Sequence, residues 1–180
     1  MATTQVSLFD QRDLAERFFF DTSFLVDLVV ASQPRHTAAE QFFSRLVAEQ
    51  KGRSFFVSPL TYAEFSQATA RIFLIADHGL QGKEAQERLQ RGGLRLVIGQ
   101  VVAALSNLNE ALDAMYESVQ QIQLDVDLWF DAAGIMSAYG VLPYDSLHIA
   151  AAKRARTVNI VTFDKYFDRV PDLVLWRDRL

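Results

Sequence analysis

The chain has 180 residues, half of them hydrophobic and 22% charged, with a net charge of −4 and a mean hydropathy of +0.05. This is enough apolar material for one packed core and too much for a disordered chain, and the acidic balance argues against a polybasic module that grips nucleic acid by bulk electrostatics. The absence of cysteine excludes disulfides, thiol nucleophiles and cysteine zinc sites, fits a reducing, cytoplasmic setting, and leaves oxygen and imidazole as the ligands for any metal.

The first segment, MATTQVSLFDQRDLAER, has no basic stretch followed by an apolar one and is interrupted by Asp10, Asp13 and Glu16, so no signal peptide is expected. No run approaches the roughly 18 apolar residues of a membrane span. RFFFD at 17–21 reads as the first strand, and its unbroken hydrophobicity marks a strand covered on both faces. Behind it, Phe24, Leu25, Leu28 and Val29 share one helical stripe, and Ala39, Phe42, Phe43 and Leu46 share a second that Gly52 closes. RSFFVSP at 53–59 is the second strand, after which Ser58 and Pro59 start a helix that runs to about Ile75.

The next connection is long, reaching about Gln120. It holds a polar, glycine-punctuated stretch, DHGLQGKEAQERLQRGG, and then an amphipathic pattern in which Leu94, Val97, Val101, Leu105, Leu108, Leu112 and Met115 recur at three and four residues. A core-facing helix is the expectation for this pattern, with a subunit or partner surface as the alternative. QIQLDVD at 121–127, VNIVTFD at 158–164 and LVLW at 173–176 complete the strands. The alternation predicts an α/β fold with helices on both faces of a parallel sheet. No repeat or linker appears, so residues 1–180 are read as one domain, with a core over about 17–176 and a helical elaboration over about 77–120.

Acids punctuate these elements. Asp21 follows the first strand, Asp145 opens a helix in LPYDSLHIAAAKRA, Asp164 ends a strand in VTFDKYF, and Glu64 lies near the start of the helix after the second strand. In an open parallel sheet, ligands bind beyond the carboxyl ends of the strands, where acids far apart in sequence converge. Each acid also has a local use. Asp145 and Asp164 can cap helices, and Glu64 can form a capping box with Thr61. Asp21 is the hardest to explain locally, because a carboxylate beside three buried phenylalanines is costly unless a helix N-terminus or a cation stabilises it. Four converging carboxylates would raise one another's pKa values, and a hard cation relieves that repulsion. Oxygen donors suit Mg²⁺ or Mn²⁺, whose chemistry is metal-assisted hydrolysis of a phosphodiester.

At FDTSFLVDL, SPLTYAEF, YDSLHIAAAKRA and NIVTFDKYFDRVPDLVL the chain resembles the PIN domain family of metal-dependent ribonucleases, in particular the VapC-type toxins of VapBC toxin–antitoxin pairs. The resemblance implies a three-layer α/β/α fold with a five-stranded parallel sheet in the order 3-2-1-4-5 and an extended helical connection between strands 2 and 3. It further implies Mg²⁺ or Mn²⁺ held by Asp21, Glu64, Asp145 and Asp164, and hydrolysis of RNA through a metal-activated water. Toxin-type members are commonly homodimers neutralised by a small antitoxin protein. Asp168 competes with Asp164 for the fourth position. The extended segment at 77–105 and the N-terminal 16 residues depart from a compact toxin. The alternative from another class is a non-catalytic member of the fold that binds RNA or a partner protein.

Other residues have two readings. Thr22 and Thr162 can bond a water or a substrate phosphate, or cap local backbone; His148 shares a helical face with Asp145 and either touches substrate or is satisfied by a neighbour. Asp27 reads as solvated, on the polar side of the first helix. Asp125 and Asp127 are similar to a phosphatase nucleophile motif, but Trp129 stands where that motif needs a Thr or Val, and helix capping is preferred. Arg35, His36, Arg53, Arg71, Lys153, Arg154, Arg156, Lys165 and Arg169 are the candidates for phosphate contacts.

Overall fold

Phe18, Phe19 and Phe20 are fully buried, and strand pleating sends them to opposite faces of one sheet. Phe18 and Phe20 join the apolar cluster on one face, and Phe19 joins a second cluster on the other. This is why the run is continuously apolar rather than alternating. The computed structural model describes residues 4–115 and 119–178. The strands are β1 (Gln5–Leu8), β2 (Arg17–Phe20), β3 (Ser54–Val57), β4 (Val119–Gln121), β5 (Asn159–Val161) and β6 (Val174–Arg177). The helices are α1 (Thr22–Val29), α2 (His36–Ala48), α3 (Pro59–His78), α4 (Gly82–Gln90), α5 (Ile98–Asp113), α6 (Val126–Tyr139) and α7 (Pro143–Arg154), with 3-10 turns at Gly93–Leu96 and Lys165–Arg169.

Every pairing in the sheet is parallel, and the order is β1-β6-β5-β2-β3-β4. The expected five-stranded sheet of order 3-2-1-4-5 is therefore corrected to six strands, although the five expected strands keep that mutual order as β4-β3-β2-β5-β6. The additional strand, β1, pairs Gln5 with Val174 and Leu8 with Arg177 along the outer edge of β6. Its Gln-Val-Ser-Leu alternation is strand-like but unassigned in the sequence reading, and it is Ser7 that is buried here while Val6 stays exposed. The open backbone groups of β6 recruit it. β4 is also displaced from the expected 121–127: it pairs Val119 with Phe55 and Gln121 with Val57, and the expected C-terminal part is lost because Asp125 is taken up as the N-cap of α6.

One face of the sheet is covered by α1, α2, α3 and α5, through Phe24, Phe42, Phe43, Phe65, Leu108 and Leu112; the other is covered by α6 and α7, through Leu128, Ala132, Leu147, Ile149 and Ala151. The helical reading of the 94–115 pattern holds, since Val97, Val101, Leu108, Leu112 and Met115 are buried, whereas Leu94 is exposed. The polar stretch before it contains α4, which the sequence reading left unassigned. Ala85 of α4 packs with Ala70 and Leu74 of α3 and with Val97 and Val101, a small core of its own. Gly79, with φ +64°, turns the chain out of α3 into this elaboration. Gly93 sits so close to α4 that an added Cβ would lie 2.6 Å from the Arg88 carbonyl oxygen. Among the described residues, no helix is long and apolar enough to cross a membrane.

Candidate active site

Asp21 follows β2 and caps α1 with extended backbone (φ −81°, ψ 154°). Its Oδ2 accepts hydrogen bonds from the Ser23 N–H (3.2 Å), the Ser23 hydroxyl (2.5 Å) and the Thr162 hydroxyl (2.8 Å). The same two hydroxyls accept from the backbone of the neighbouring β5 turn, Ser23 from the Phe163 N–H (2.9 Å) and Thr162 from the Asp164 N–H (2.9 Å). The carboxyl ends of two adjacent strands are thus joined at Asp21. The desolvation cost of this buried acid is met by a helix N-terminus and two hydroxyls. Thr162 therefore does both things at once, capping its local backbone at the Asp164 N–H and orienting an acid through its hydroxyl proton. Ser23, which carried no assignment from sequence, orients the same acid.

Glu64 lies one turn into α3. The capping box there is formed by Ser58 and Thr61, which frees Glu64. Glu64 Oε2 accepts from the Thr22 hydroxyl at 2.8 Å and lies 2.5 Å from His148 Nε2. His148 is buried and its Nε2 also lies 3.8 Å from Asp21 Oδ1, so that nitrogen is satisfied by neighbouring acids; its Nδ1 is buried without a hydrogen-bond partner among the described residues, and the ring does not line the cleft. Asp145 is not a cap: Leu142 holds that place and Asp145 stands within the first turn of α7. Its Oδ2 is buried without a hydrogen-bond partner among the described residues. Asp164 caps the following 3-10 turn by accepting from the Tyr166 N–H at 2.8 Å.

All four acids line one cleft of about 450 Å³, together with Thr22, Ser23 and a fifth acid, Asp27. Asp27 corrects the sequence reading: it is buried, and its carboxylate accepts from the Arg35 N–H at 3.2 Å. Asp168 is engaged elsewhere by Arg177, and Asp125 by the Leu128 N–H and Arg154. Of the basic candidates, Arg71 lines the cleft. Arg35 lies over the Phe163 ring, Arg169 over Tyr166, and Arg53 is held by Glu49. Lys153 and Arg156 border a separate hollow at the opposite end of the strands.

Burial, and then the charges of Asp164, Asp21 and Glu64, push the Asp145 carboxyl up from its ordinary 3.8 to about 6. Burial also raises Asp164. For Glu64, burial acts upward but the hydrogen bond and charge of His148, with Thr22, outweigh it and the carboxyl is lowered; His148 is correspondingly raised against its own burial. The imidazole thus offsets part of the acidic charge. A hard cation fits what remains: oxygen donors only, an unengaged buried oxygen on Asp145, and repulsion that a cation would relieve. Among the described residues, however, no group of three or more His, Asp or Glu stands ready as a ligand set, and Glu64 is turned to His148.

In metal-free protein the folded state retains the Asp145 proton between about pH 4 and 6, where the unfolded chain has released it, so stability falls as pH rises through this window. Asp145→Asn lacks this loss. Its Tm should exceed that of the wild type increasingly from pH 4 to 7 in chelator, as thermal scans of both proteins would show.

The PIN domain family model matches residues 18–173. Among solved structures, the chain is similar to the toxin VapC20 of Mycobacterium tuberculosis, described as cleaving the sarcin-ricin loop, at 21% identity over 82% of this chain and 90% of that one, with a TM-score of 0.49. It is similar also to VapBC2 of Rickettsia felis, solved bound to a DNA fragment from its promoter, at 14% identity over 89% and 98% of the two chains, with a TM-score of 0.50. No curated protein matches. At these identities the solved structures speak to fold alone. The family match begins in the strand that leads to Asp21 and ends beyond Asp164, so it spans all four acids of the cleft, and the chain belongs to the PIN domain family.

Proposed function

We propose that the protein is a divalent-metal-dependent endoribonuclease in which Asp21, Glu64, Asp145 and Asp164 hold Mg²⁺ or Mn²⁺. The observation that carries this reading is the meeting of four carboxylates from separate parts of the fold in one cleft, one of them with an unengaged buried oxygen. A divalent cation there lowers the pKa of the attacking water and polarises the phosphoryl group. The chain's own part is orientation. Ser23 and Thr162 fix Asp21, Thr22 and His148 fix Glu64, and Asp145 presents its free Oδ2 to a cation or a water.

The family and the VapC-like fold favour the toxin of a toxin–antitoxin pair, with RNA as substrate, a small antitoxin protein as inhibitor and a second copy of the chain as partner. Val126, Trp129 and Phe130, exposed along α6, supply an apolar face for that homodimer. The second reading is a non-catalytic module that binds RNA or a protein; the engagement of Glu64 by His148 in place of a cation is the observation on its side.

Cleavage of a mixed, end-labelled RNA pool separates the two. Cutting should require Mg²⁺ or Mn²⁺ and stop in chelator. Cutting that survives chelation would sink the metal assignment, and a folded protein that neither cuts nor binds metal would establish the second reading.

A further inference from the structure

The wall of the acidic cleft is longer than the acids themselves. Glu64, Gln67, Ala68, Arg71 and Ile72 all line it, and their spacing of three and four residues makes them one face of α3. Arg71 is seven residues beyond Glu64, about 10 Å along the helix axis. α4 contributes Gln86 to the same wall. The placement of Gln86 is fixed by the small core in which Ala85, its neighbour, is buried against Ala70 and Leu74. The elaboration is therefore part of the cleft and does not merely adjoin it.

Arg71 is exposed and shares the cleft with five acids, yet among the described residues it forms no ion pair or hydrogen bond, and neither do the side chains of Gln67 and Gln86. A guanidinium cannot ligate a metal. It suits a phosphate oxygen, which it can grip with two parallel N–H bonds. Its distance from Glu64 along the helix puts it outside the set of acids that would surround a cation, in line with the course of a bound strand. The amides of Gln67 and Gln86 can donate to phosphate or accept from sugar hydroxyls, and they carry no charge to repel a polyanion.

We propose that Arg71, flanked by Gln67 and Gln86, is a positioning residue that binds a backbone phosphate next to the one that is cut, so that the RNA strand lies along α3 and against α4. This rests on the ribonuclease reading of the same cleft, and it assigns the extended connection a task, the framing of substrate. Arg71 is the single cation the cleft offers a strand among the nine basic candidates.

The test measures binding rather than cleavage. In an Asp21→Asn background with Mg²⁺, the anisotropy of a labelled ten-nucleotide RNA is titrated with the parent, Arg71→Ala, Arg71→Lys and Gln86→Ala across about 50 to 200 mM KCl. Loss of one charged contact should raise Kd roughly tenfold in Arg71→Ala. The slope of log K against log salt should become shallower by about 0.7, the value for one phosphate contact on a single strand. A structural role would not move that slope. Arg71→Lys should restore the slope while recovering only part of the affinity, and Gln86→Ala should weaken binding with the slope unchanged. An unchanged slope in Arg71→Ala overturns the proposal even if the wild type cuts RNA. A shallower slope upholds it even if the wild type proves not to cut, an outcome that would count against the ribonuclease reading alone. A parent that binds no RNA at any salt overturns both.

Discussion

Asp21→Asn should leave the fold standing and abolish RNA cleavage, with a loss well beyond a hundredfold, because changes one shell out from a metal already cost about 10- to 100-fold. Asparagine is as good an N-cap as aspartate. Its carbonyl oxygen can take the place of Oδ2 and keep the bonds from the Ser23 N–H, the Ser23 hydroxyl and the Thr162 hydroxyl. The amide NH₂ then falls where Oδ1 lay, 3.8 Å from His148 Nε2, replacing an anionic acceptor with a donor. The cap and the strand–strand junction survive, and the oxygen available to a cation is lost. Circular dichroism and the chelator Tm should therefore be near wild type, while cleavage in Mg²⁺ or Mn²⁺ disappears. Undiminished cutting by the variant would remove Asp21 from the site.

The second large effect should come from His148→Ala, acting on stability. The ring is buried, 2.5 Å from Glu64 and beside Asp21, and it packs 5.7 Å from the Phe19 ring. Removing it leaves neighbouring carboxylates without their cation, which for a buried pair costs about 3–5 kcal/mol. Glu64 keeps some access to water, so the low end is expected, about 3 kcal/mol or roughly 6–12 °C in Tm. The pH dependence has a definite sign. A histidine whose pKa is raised on folding contributes stability that is fully present below its ordinary 6.5 and is lost as pH rises through the folded value. The gap between wild type and variant should therefore be widest in mild acid and narrow toward alkaline pH; as with Asp145, the wild type loses stability relative to the variant as pH rises. His148→Phe retains ring packing against Phe19 and isolates the charge. A gap independent of pH, or full stability in His148→Phe, would show that the imidazole serves only as filler. Mg²⁺ should restore part of the stability lost in His148→Ala, since a cation replaces the lost positive charge.

Three of the acids in the cleft are held in three different ways. Asp21 is held by hydroxyls and a helix end, so its orientation does not depend on a counter-charge. Glu64 is held by an imidazole that a cation can replace. Asp145 Oδ2 has no partner among the described residues, and burial, followed by the charges of Asp164, Asp21 and Glu64, pushes its carboxyl up to about 6.

Much of this was legible in the chain before any coordinates. Period and spacing alone separate strands from helices, because a strand buried on both faces must be apolar at successive residues, as Phe18 to Phe20 are, while a helix need be apolar only on one side, as Val97, Val101, Leu108 and Leu112 show. The acids at Asp21, Glu64, Asp145 and Asp164 stood out because each follows or opens an apolar element, and the parallel α/β pattern directs such positions to one edge. What only the tertiary structure decided concerns partners. Asp27 looked solvated and is buried, β1 is recruited by the edge of β6 with Ser7 buried and Val6 exposed, against its own hydrophobic pattern, and α4 lies in a polar stretch with Ala85 as the helix's one buried residue. The pairing of His148 with Glu64 spans 84 residues of chain, and that of Thr162 with Asp21 spans 141. Local pattern records what each residue requires of its surroundings, apolar cover or a polar partner; which residue meets that need is settled only when distant segments are packed together, because hydrogen bonds and charges act over a few ångströms in space and not along the chain.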